Sequence, residues 1–179
     1  QWVWVAAQDH RYVAITQQGS LTERIVEQQL LVSSDGSAWR TMTERPFGDL
    51  RSEVIGIAAN RDGVVVAVVE GGELGLLHSH DLSEWHDVTP VVLGASAWLT
   101  DLSAGSTGFL LTVSVGRRGQ AWFSVDGLTW ERADNHAVAH ALDTDPMTAV
   151  GANTLIIAEG TFPPGWYPAV WFGVPIGCD

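Results

Sequence analysis

The chain has 179 residues, 46% of them apolar, and a net charge of −12 from 21 acidic and 9 basic side chains. This length suits one domain of roughly 100–200 residues with a real core, and no run of about 18 apolar residues could span a membrane. The acidic excess excludes nucleic acid as an expected partner, because phosphate-backbone binding needs clustered Lys and Arg.

Short β-rich runs separated by turn residues follow one another along the chain. The first unit contains WVWVAAQ, YVAITQQ, QLLVSSD and WRTMTE, and the second contains VIGIAAN, VVVAVVE, LLHSHD and WHDVTP. The third contains WLTDLSAG, FLLTVSVG, QAWFSVD and WERAD, and the fourth has only TAVGAN, LIIAEG and AVWFGVPIG. We predict one domain of four blade units, at approximately residues 1–45, 52–90, 97–134 and 146–179.

One heptapeptide recurs where the third run of each complete unit meets the fourth. It reads SSDGSAW, SHDLSEW and SVDGLTW. An Asp side chain accepts hydrogen bonds from turn N–H groups, Ser bonds locally, and a Trp ring can cover the turn. We therefore interpret the shared residues as a structural turn motif rather than as catalytic groups. They are Ser33, Asp35 and Trp39; Ser79, Asp81 and Trp85; and Ser124, Asp126 and Trp130.

Four antiparallel strands in every 40 to 45 residues are typical of propeller blades. The heptapeptide resembles the Asp-box, or BNR, repeat of the sialidase-like β-propeller superfamily, in which the box is a fold element of the last hairpin of a blade. Leu82 departs from the glycine of the other copies, and Gly173 and Pro175 replace Ser and Asp in the fourth unit. The predicted fold is all-β, a propeller with four-stranded antiparallel blades that belongs to a larger or assembled propeller.

The resemblance implies that a catalytic sialidase would need an arginine cluster, a Tyr–Glu pair and an Asp acid. The chain has only Tyr12 and Tyr167, and its arginines do not recur at matched strand starts, so we do not expect sialidase activity. Other glycosidases need two carboxylates some 5 to 9.5 Å apart. The sequence leaves four candidates open, which are Asp101, Asp134, Asp143 and Glu159.

Histidine spacing raises the question of a metal site. His78 and His80 would share one face of a strand, and His136 and His140 would share a face only in a helix. Neither pair has the Glu of an H-E-x-x-H motif or a nearby Cys. Aspartates at 134, 143 and 145 could form a weak cation site, but their spacing is not that of an EF-hand. We predict no metal and no cofactor.

Loops between the second and third runs differ in length, and they lie on the face opposite the heptapeptide turns. They read GSLTERIVEQ, GGELG, GRRG and GTFPPGWYP. Unequal loops on a regular scaffold are common binding surfaces, and rigid aromatic residues lose little entropy on binding. The candidate binding residues are Trp166, Tyr167, Arg117 and Arg118.

These observations favour a non-catalytic scaffold or protein-interaction subunit of a larger complex that uses this loop face. The alternative is a carbohydrate-binding or glycoside-hydrolase propeller domain. A glycan site should show a cleft with paired carboxylates beside exposed aromatic residues, whereas a scaffold should present a broad patch without perturbed acids. The expected partner is a protein or further blades, or a glycan in the alternative. Acidity and the resemblance favour an extracellular, cell-surface or periplasmic location, and the lone Cys178 cannot form a disulfide within the chain.

Overall fold

The computed structural model describes residues 2–8, 10–18, 27–44, 47, 52–91, 93, 96–116, 118–132, 146–151, 154–159 and 170–173, with side chains except at 44, 118 and 146–173. The first sheet contains β1 (Trp2–Gln8), β2 (Arg11–Gln18), β3 (Glu27–Ser33) and β4 (Arg40–Glu44). The second contains β5 (Glu53–Asn60), β6 (Gly63–Glu70), β7 (Glu73–Ser79) and β8 (His86–Asp87).

The third sheet contains β9 (Ala97–Gly105), β10 (Gly108–Val115), β11 (Arg118–Ser124) and β12 (Glu131–Arg132). The fourth contains β13 (Pro146–Gly151), β14 (Thr154–Glu159) and β15 (Val170–Gly173). Neighbouring strands pair antiparallel in chain order within each sheet, and the described residues contain no helix. The prediction of an all-β fold with four-stranded antiparallel blades is confirmed. No described helix is long and apolar enough to cross a membrane.

The four sheets, which we call blades 1 to 4, contact one another through their first strands. β1 packs beside β5, β5 beside β9, and β9 beside β13. No contact of similar extent joins β1 to β13 among the described strands. The blades therefore form an open, partial propeller, as predicted.

The boundaries on either side of blade 2 are apolar layers. The layer between blades 1 and 2 contains Val13, Ile15, Leu30 and Val32 from blade 1 and Val54, Val64, Val66, Val68, Leu77 and Leu82 from blade 2. Between blades 2 and 3 the layer contains Ala58, Val65, Ala67, Leu74, Leu76, Leu102, Phe109, Leu111, Val113 and Trp122. Because a neighbour covers both faces of blade 2, β6 is apolar and buried at consecutive positions rather than at alternate ones.

Strand register defines the two faces of a blade, since directly paired residues project to the same face. We call the face that packs on the following blade the forward face and the other the backward face. In β6, Val65 and Ala67 lie on the forward face, and Val64, Val66 and Val68 lie on the backward face. The same alternation holds in β10.

The two ends of the blades carry different loops. The heptapeptide turns join the third strand to the fourth, at the end where the first strand also turns into the second. In blade 2, the His80 Nδ1 atom lies 3.0 Å from the carbonyl oxygen of Asp62, which links these two turns. The first strands begin at the opposite end, beside the connections between second and third strands.

Candidate functional site

The first heptapeptide turn is held together by the side chains of Ser33 and Asp35. The Ser33 hydroxyl accepts the Gly36 N–H at 2.9 Å and donates to Asp35 Oδ1 at 3.0 Å. The same Asp35 oxygen accepts the N–H groups of Ser37 at 2.8 Å and Ala38 at 2.9 Å. One serine and one aspartate thus satisfy the backbone donors of the turn.

The other two turns repeat this hydrogen-bonding pattern. Ser79 Oγ accepts the Leu82 N–H at 2.8 Å, and Ser124 Oγ accepts the Gly127 N–H at 2.8 Å. Asp81 Oδ1 accepts the N–H groups of residues 83 and 84, at 2.8 and 3.3 Å. Asp126 Oδ1 accepts those of residues 128 and 129, at 2.8 and 2.9 Å.

These bonds keep the turn carboxylates ionised. The Ala38 and Ser37 N–H groups hold the pKa of Asp35 well below its usual range, and the Ser83 hydroxyl and N–H do the same for Asp81. Burial raises the pKa of Asp126, but hydrogen bonds from the turn outweigh this and lower it. Because the lowered pKa leaves these carboxylates without a proton at neutral pH, they are poorly suited to proton donation.

The three turn tryptophans have different surroundings. The exposed Trp39 donates its Nε1–H to the Gly36 carbonyl at 3.1 Å. Trp85 packs edge-to-face on Phe47 with ring centroids 5.0 Å apart, at the layer between blades 1 and 2. Trp130 packs against the layer between blades 2 and 3. The tryptophan therefore joins a turn to the blade boundary in two of the three copies.

The expectation that His78 and His80 share a strand face is wrong. β7 ends at Ser79, so His80 lies in the bend beyond it and is exposed, whereas His78 is buried. Glycines crowd the His78 ring, because a β-carbon at Gly127 would lie 2.7 Å from its Cδ2 atom. Burial lowers the pKa of His78. No group of three or more metal-ligating side chains occurs among the described residues, and residues 134, 136, 140, 143 and 145 lie outside them.

At the opposite end of the blades, Trp2, Glu53 and Trp98 occupy one register position. Each lies at the start of a first strand and pairs with the penultimate residue of the second strand, which is Gln17, Val69 or Ser114. Trp2 is 63% exposed and Trp98 is 72% exposed, with Glu53 half-buried on the strand between them. We call these three residues the strand-start row.

β-Bulges create this alignment. The register shifts between Val54 and Gly56 in β5, and it shifts again where β9 pairs with Thr112 and Val113 of β10. A bulge adds one residue to a strand and so changes the sheet face on which the residues beyond it lie. In a sequence alignment without bulges, the residues equivalent to Trp2 would be Val54 in β5 and Leu99 in β9. The alignment of Trp2 with Glu53 and Trp98 could therefore not be predicted from the sequence.

Buried glutamines fix the start of β5. Gln28 Nε2 donates to Gln17 Oε1 at 3.0 Å and to the Ser52 carbonyl at 2.7 Å. Gln17 Oε1 also accepts the Val54 N–H at 2.8 Å. Blade 1 thus holds the backbone on both sides of Glu53. Both glutamines are buried, which their polar side chains did not predict.

Asp101 lies on the forward face of β9, as does Trp98. It is half-buried, and burial raises its pKa above the usual range despite a hydrogen bond from Ser103 Oγ at 3.2 Å. Asp101 is the one predicted acid whose side chain is described. Residues 134 and 143 lie outside the described part of the chain, and the Glu159 side chain is not described.

The predicted loop-face residues are largely outside the described structure. Arg117, Trp166 and Tyr167 lie outside it, and Arg118 is described only as the first backbone position of β11, paired with Val115.

No protein-family model and no curated protein matches the chain. The Pyrococcus horikoshii acylaminoacyl peptidase structure aligns over 96% of this chain and 31% of its own, with 6% identity and a TM-score of 0.54. A structure from the GH130 family of mannoside phosphorylases, which contains hydrolases that target β-1,2-mannosidic linkages in Candida mannan, aligns over 88% and 59%, with 13% identity and a TM-score of 0.49. The Bombyx mori GH32 β-fructofuranosidase BmSUC1 aligns over 96% and 46%, with 13% identity and a TM-score of 0.48.

These identities are low enough that the likeness concerns the fold alone. The chain spans between 31% and 59% of the lengths of the three proteins.

The prediction of a non-catalytic scaffold or protein-interaction subunit is wrong. Glycoside hydrolases are among the structures that the chain resembles in fold, and the carbohydrate-active alternative is taken up below as a proposal. Of the features expected for a glycan site, the described residues show exposed tryptophans on the strands either side of Glu53 and a raised pKa for Asp101.

Proposed function

We propose that this chain is a carbohydrate-binding propeller segment whose glycan site is the strand-start row. The observation that supports the proposal is the order of the row, in which Glu53 lies between the exposed Trp2 and Trp98. The C–H faces of sugar rings stack on an indole, which offers a large, rigid apolar surface. Sugar hydroxyls donate to a carboxylate in charge-assisted hydrogen bonds.

The spacing of the blades favours an oligosaccharide over a single sugar. The first strands of neighbouring blades approach to within 8 Å between Cα atoms, and Trp2 and Trp98 lie two such steps apart. Two indoles separated by an intervening strand can contact different sugars of the same chain.

Hydrolysis is a second candidate function, and Asp101 favours it. A glycosidase needs one carboxyl group that stays protonated near neutral pH, and burial moves the pKa of Asp101 in that direction. The second carboxylate must lie about 5 to 9.5 Å away.

We also propose that the three heptapeptide turns are Asp boxes. The hydrogen bonds from the turn backbone to serine and aspartate, repeated in three blades, support this assignment. A location outside the cytoplasm remains part of the same proposal.

Isothermal titration calorimetry with neutral gluco-, manno- and fructo-oligosaccharides tests the glycan site. We expect at least one to bind, and we expect Trp98→Ala to weaken that binding by about tenfold or more, equivalent to about 1.4 kcal/mol. Glu53→Gln should weaken it with little change of shape.

Trp39→Ala is the matched control, because Trp39 is an exposed tryptophan at the opposite end of the blades. It should leave the affinity unchanged, with thermal unfolding used to check the fold of each variant. No binding by any oligosaccharide, or equal losses in Trp98→Ala and Trp39→Ala, would contradict the proposed site.

A further inference from the structure

Within the described part of the chain, the charged side chains at the strand-start end of blades 1 and 2 are all carboxylates. Glu27 begins β3, Glu53 begins β5, and Glu70 pairs with Glu73 where β6 ends and β7 begins. In blade 3 this end carries Arg118, of which the backbone is described. The described arginine side chains lie at the heptapeptide end instead, and they are Arg11, Arg40, Arg61 and Arg132.

Three of these carboxylates lie at one corner of blade 2. Glu53 pairs with Val69, the residue before Glu70, so Glu70 and Glu73 lie one position beyond Glu53 on the neighbouring strands. Like charges on directly paired residues destabilise a sheet, and no described arginine forms an ion pair with Glu70 or Glu73. A cationic group bound at this corner would relieve the repulsion.

Glu53 is the carboxylate of this group that lies in the strand-start row, and its backbone is already fixed. The Gln28 side chain donates to the Ser52 carbonyl at 2.7 Å, and the Gln17 side chain accepts the Val54 N–H at 2.8 Å. Glu53 is also half-buried, so solvent screens its charge less than that of a fully exposed side chain. An ion pair made here is therefore stronger than one between two exposed, mobile groups.

The exposed indoles of the row favour the same kind of ligand. Trp2 and Trp98 lie on the first strands on either side of β5, and more than half of each side chain is exposed. A cation over the face of an indole is attracted by the ring quadrupole, and tryptophan is the most effective of the aromatic residues in this contact. A neutral sugar uses only the apolar surface of the ring, whereas a sugar with an ammonium group uses both properties.

We propose that the strand-start row is selective for amino-sugar oligosaccharides, in which an ammonium group replaces one hydroxyl of each sugar. This inference rests on the proposed glycan site and names its ligand class. The sugar rings stack on Trp2 and Trp98, and an ammonium group between them donates to the Glu53 carboxylate in a charge-assisted hydrogen bond. The neighbouring carboxylates attract cationic oligosaccharides to this end of the blades.

Isothermal titration calorimetry with three β-1,4-linked tetrasaccharides tests the selectivity, at a mildly acidic pH where the amino sugar carries its proton. The tetramers of glucosamine, glucose and N-acetylglucosamine share one backbone and differ at C2, where they carry an ammonium, a hydroxyl or an acetamide group. We expect the glucosamine tetramer to bind about tenfold more tightly than the other two. Added salt should reduce this advantage, because it screens the ion pairs.

Two matched variants locate the source of the advantage. Glu53→Gln should weaken binding of the glucosamine tetramer about fivefold more than binding of the glucose tetramer. The control is Glu84→Gln, which makes the same change of charge at an exposed side chain of the second heptapeptide turn and should retain the full advantage. Trp98→Ala should weaken binding of both tetramers, with thermal unfolding used to check the fold of each variant.

Equal affinities for the glucosamine and glucose tetramers would overturn the selectivity and leave the glycan site in place. An advantage that Glu53→Gln and Glu84→Gln reduce equally would also overturn it, as would glucosamine binding that Trp98→Ala leaves intact. Both results indicate attraction to the net charge of −12 alone. If none of the three tetramers binds while another neutral oligosaccharide does, the selectivity fails and the site stands. The absence of binding by every oligosaccharide rules out both.

Discussion

At the scale of single residues, Leu82 is the most unusual position in the described chain. Its φ of 72° lies in the left-handed region, where the other two turns have Gly36 and Gly127. A non-glycine residue in this region costs about 1–3 kcal/mol. The Leu82 side chain is buried in the layer between blades 1 and 2, and burying a leucine contributes about 1.5–3 kcal/mol. Packing therefore offsets the backbone strain.

Two substitutions at Leu82 separate packing from strain. Leu82→Ala loses the packing and keeps the strain, so we expect it to lower the free energy of unfolding by about 2–5 kcal/mol. Leu82→Gly loses the same packing but relieves the strain, and it should be about 1 kcal/mol less destabilising than Leu82→Ala. Urea denaturation of both variants measures the difference. If alanine proves the more stable of the two, backbone strain at this position is negligible.

The serine and the aspartate of a turn should differ in their contribution to stability. Ser124 is buried and accepts the N–H of the buried Gly127, so Ser124→Ala should destabilise by about 1–3 kcal/mol. Asp126 is exposed and accepts from exposed N–H groups that water can reach, so Asp126→Ala should cost about 1 kcal/mol or less. Thermal unfolding of the two variants gives the order. Loss of glycan binding by Asp126→Ala without a change of stability would contradict a structural role for the turn.

At the scale of elements, the boundary between blades 2 and 3 contains a titratable side chain, His78. His78 of β7 is buried beside Gly63 and Gly127. Burial lowers its pKa, with the Asp62 carbonyl and Asp126 acting in the opposite direction and His80 and His86 adding to the decrease. The unfolded chain therefore binds a proton at this side chain more readily than the folded chain does.

Stability should consequently depend on pH through His78. Its contribution is complete above the ordinary pKa of 6.5 and is lost as the pH falls below that value. The corresponding residue of β11 is Phe123, so His78→Phe should flatten the loss of melting temperature between pH 7 and 5.5. The control His80→Gln changes an exposed side chain and should retain the wild-type slope. An identical slope in His78→Phe would exclude His78 as the source.

The elements differ in how far the sequence predicted them. Blades and turns were predictable because period, turn residues and apolar runs all depend on local chemistry, as the turn from Ser33 to Trp39 illustrates. The strand-start row was not, because one extra residue in β5 and one in β9 decide which face Glu53 and Trp98 occupy. A bulge depends on packing against the neighbouring blades, and composition does not record it.

At the scale of the whole molecule, the two ends of the blades have separate roles. The heptapeptide end contains carboxylates that the turn backbone holds ionised and oriented. The strand-start end contains a carboxylate and two exposed indoles on adjacent first strands. Under the proposed function, the glycan-binding groups therefore lie at the strand-start end.

The burial of both faces of blade 2 also affects the order in which the blades unfold. In a linear array of repeats, stability is close to a sum of intrinsic terms and nearest-neighbour interface terms. Blade 2 shares an apolar layer with each neighbour, whereas blade 1 shares one layer alone among the described residues. Blade 1 can therefore detach at the expense of one interface, but blade 2 must break two. Unfolding should start with blade 1 fraying away, with β6 the last of these strands to exchange its amide protons.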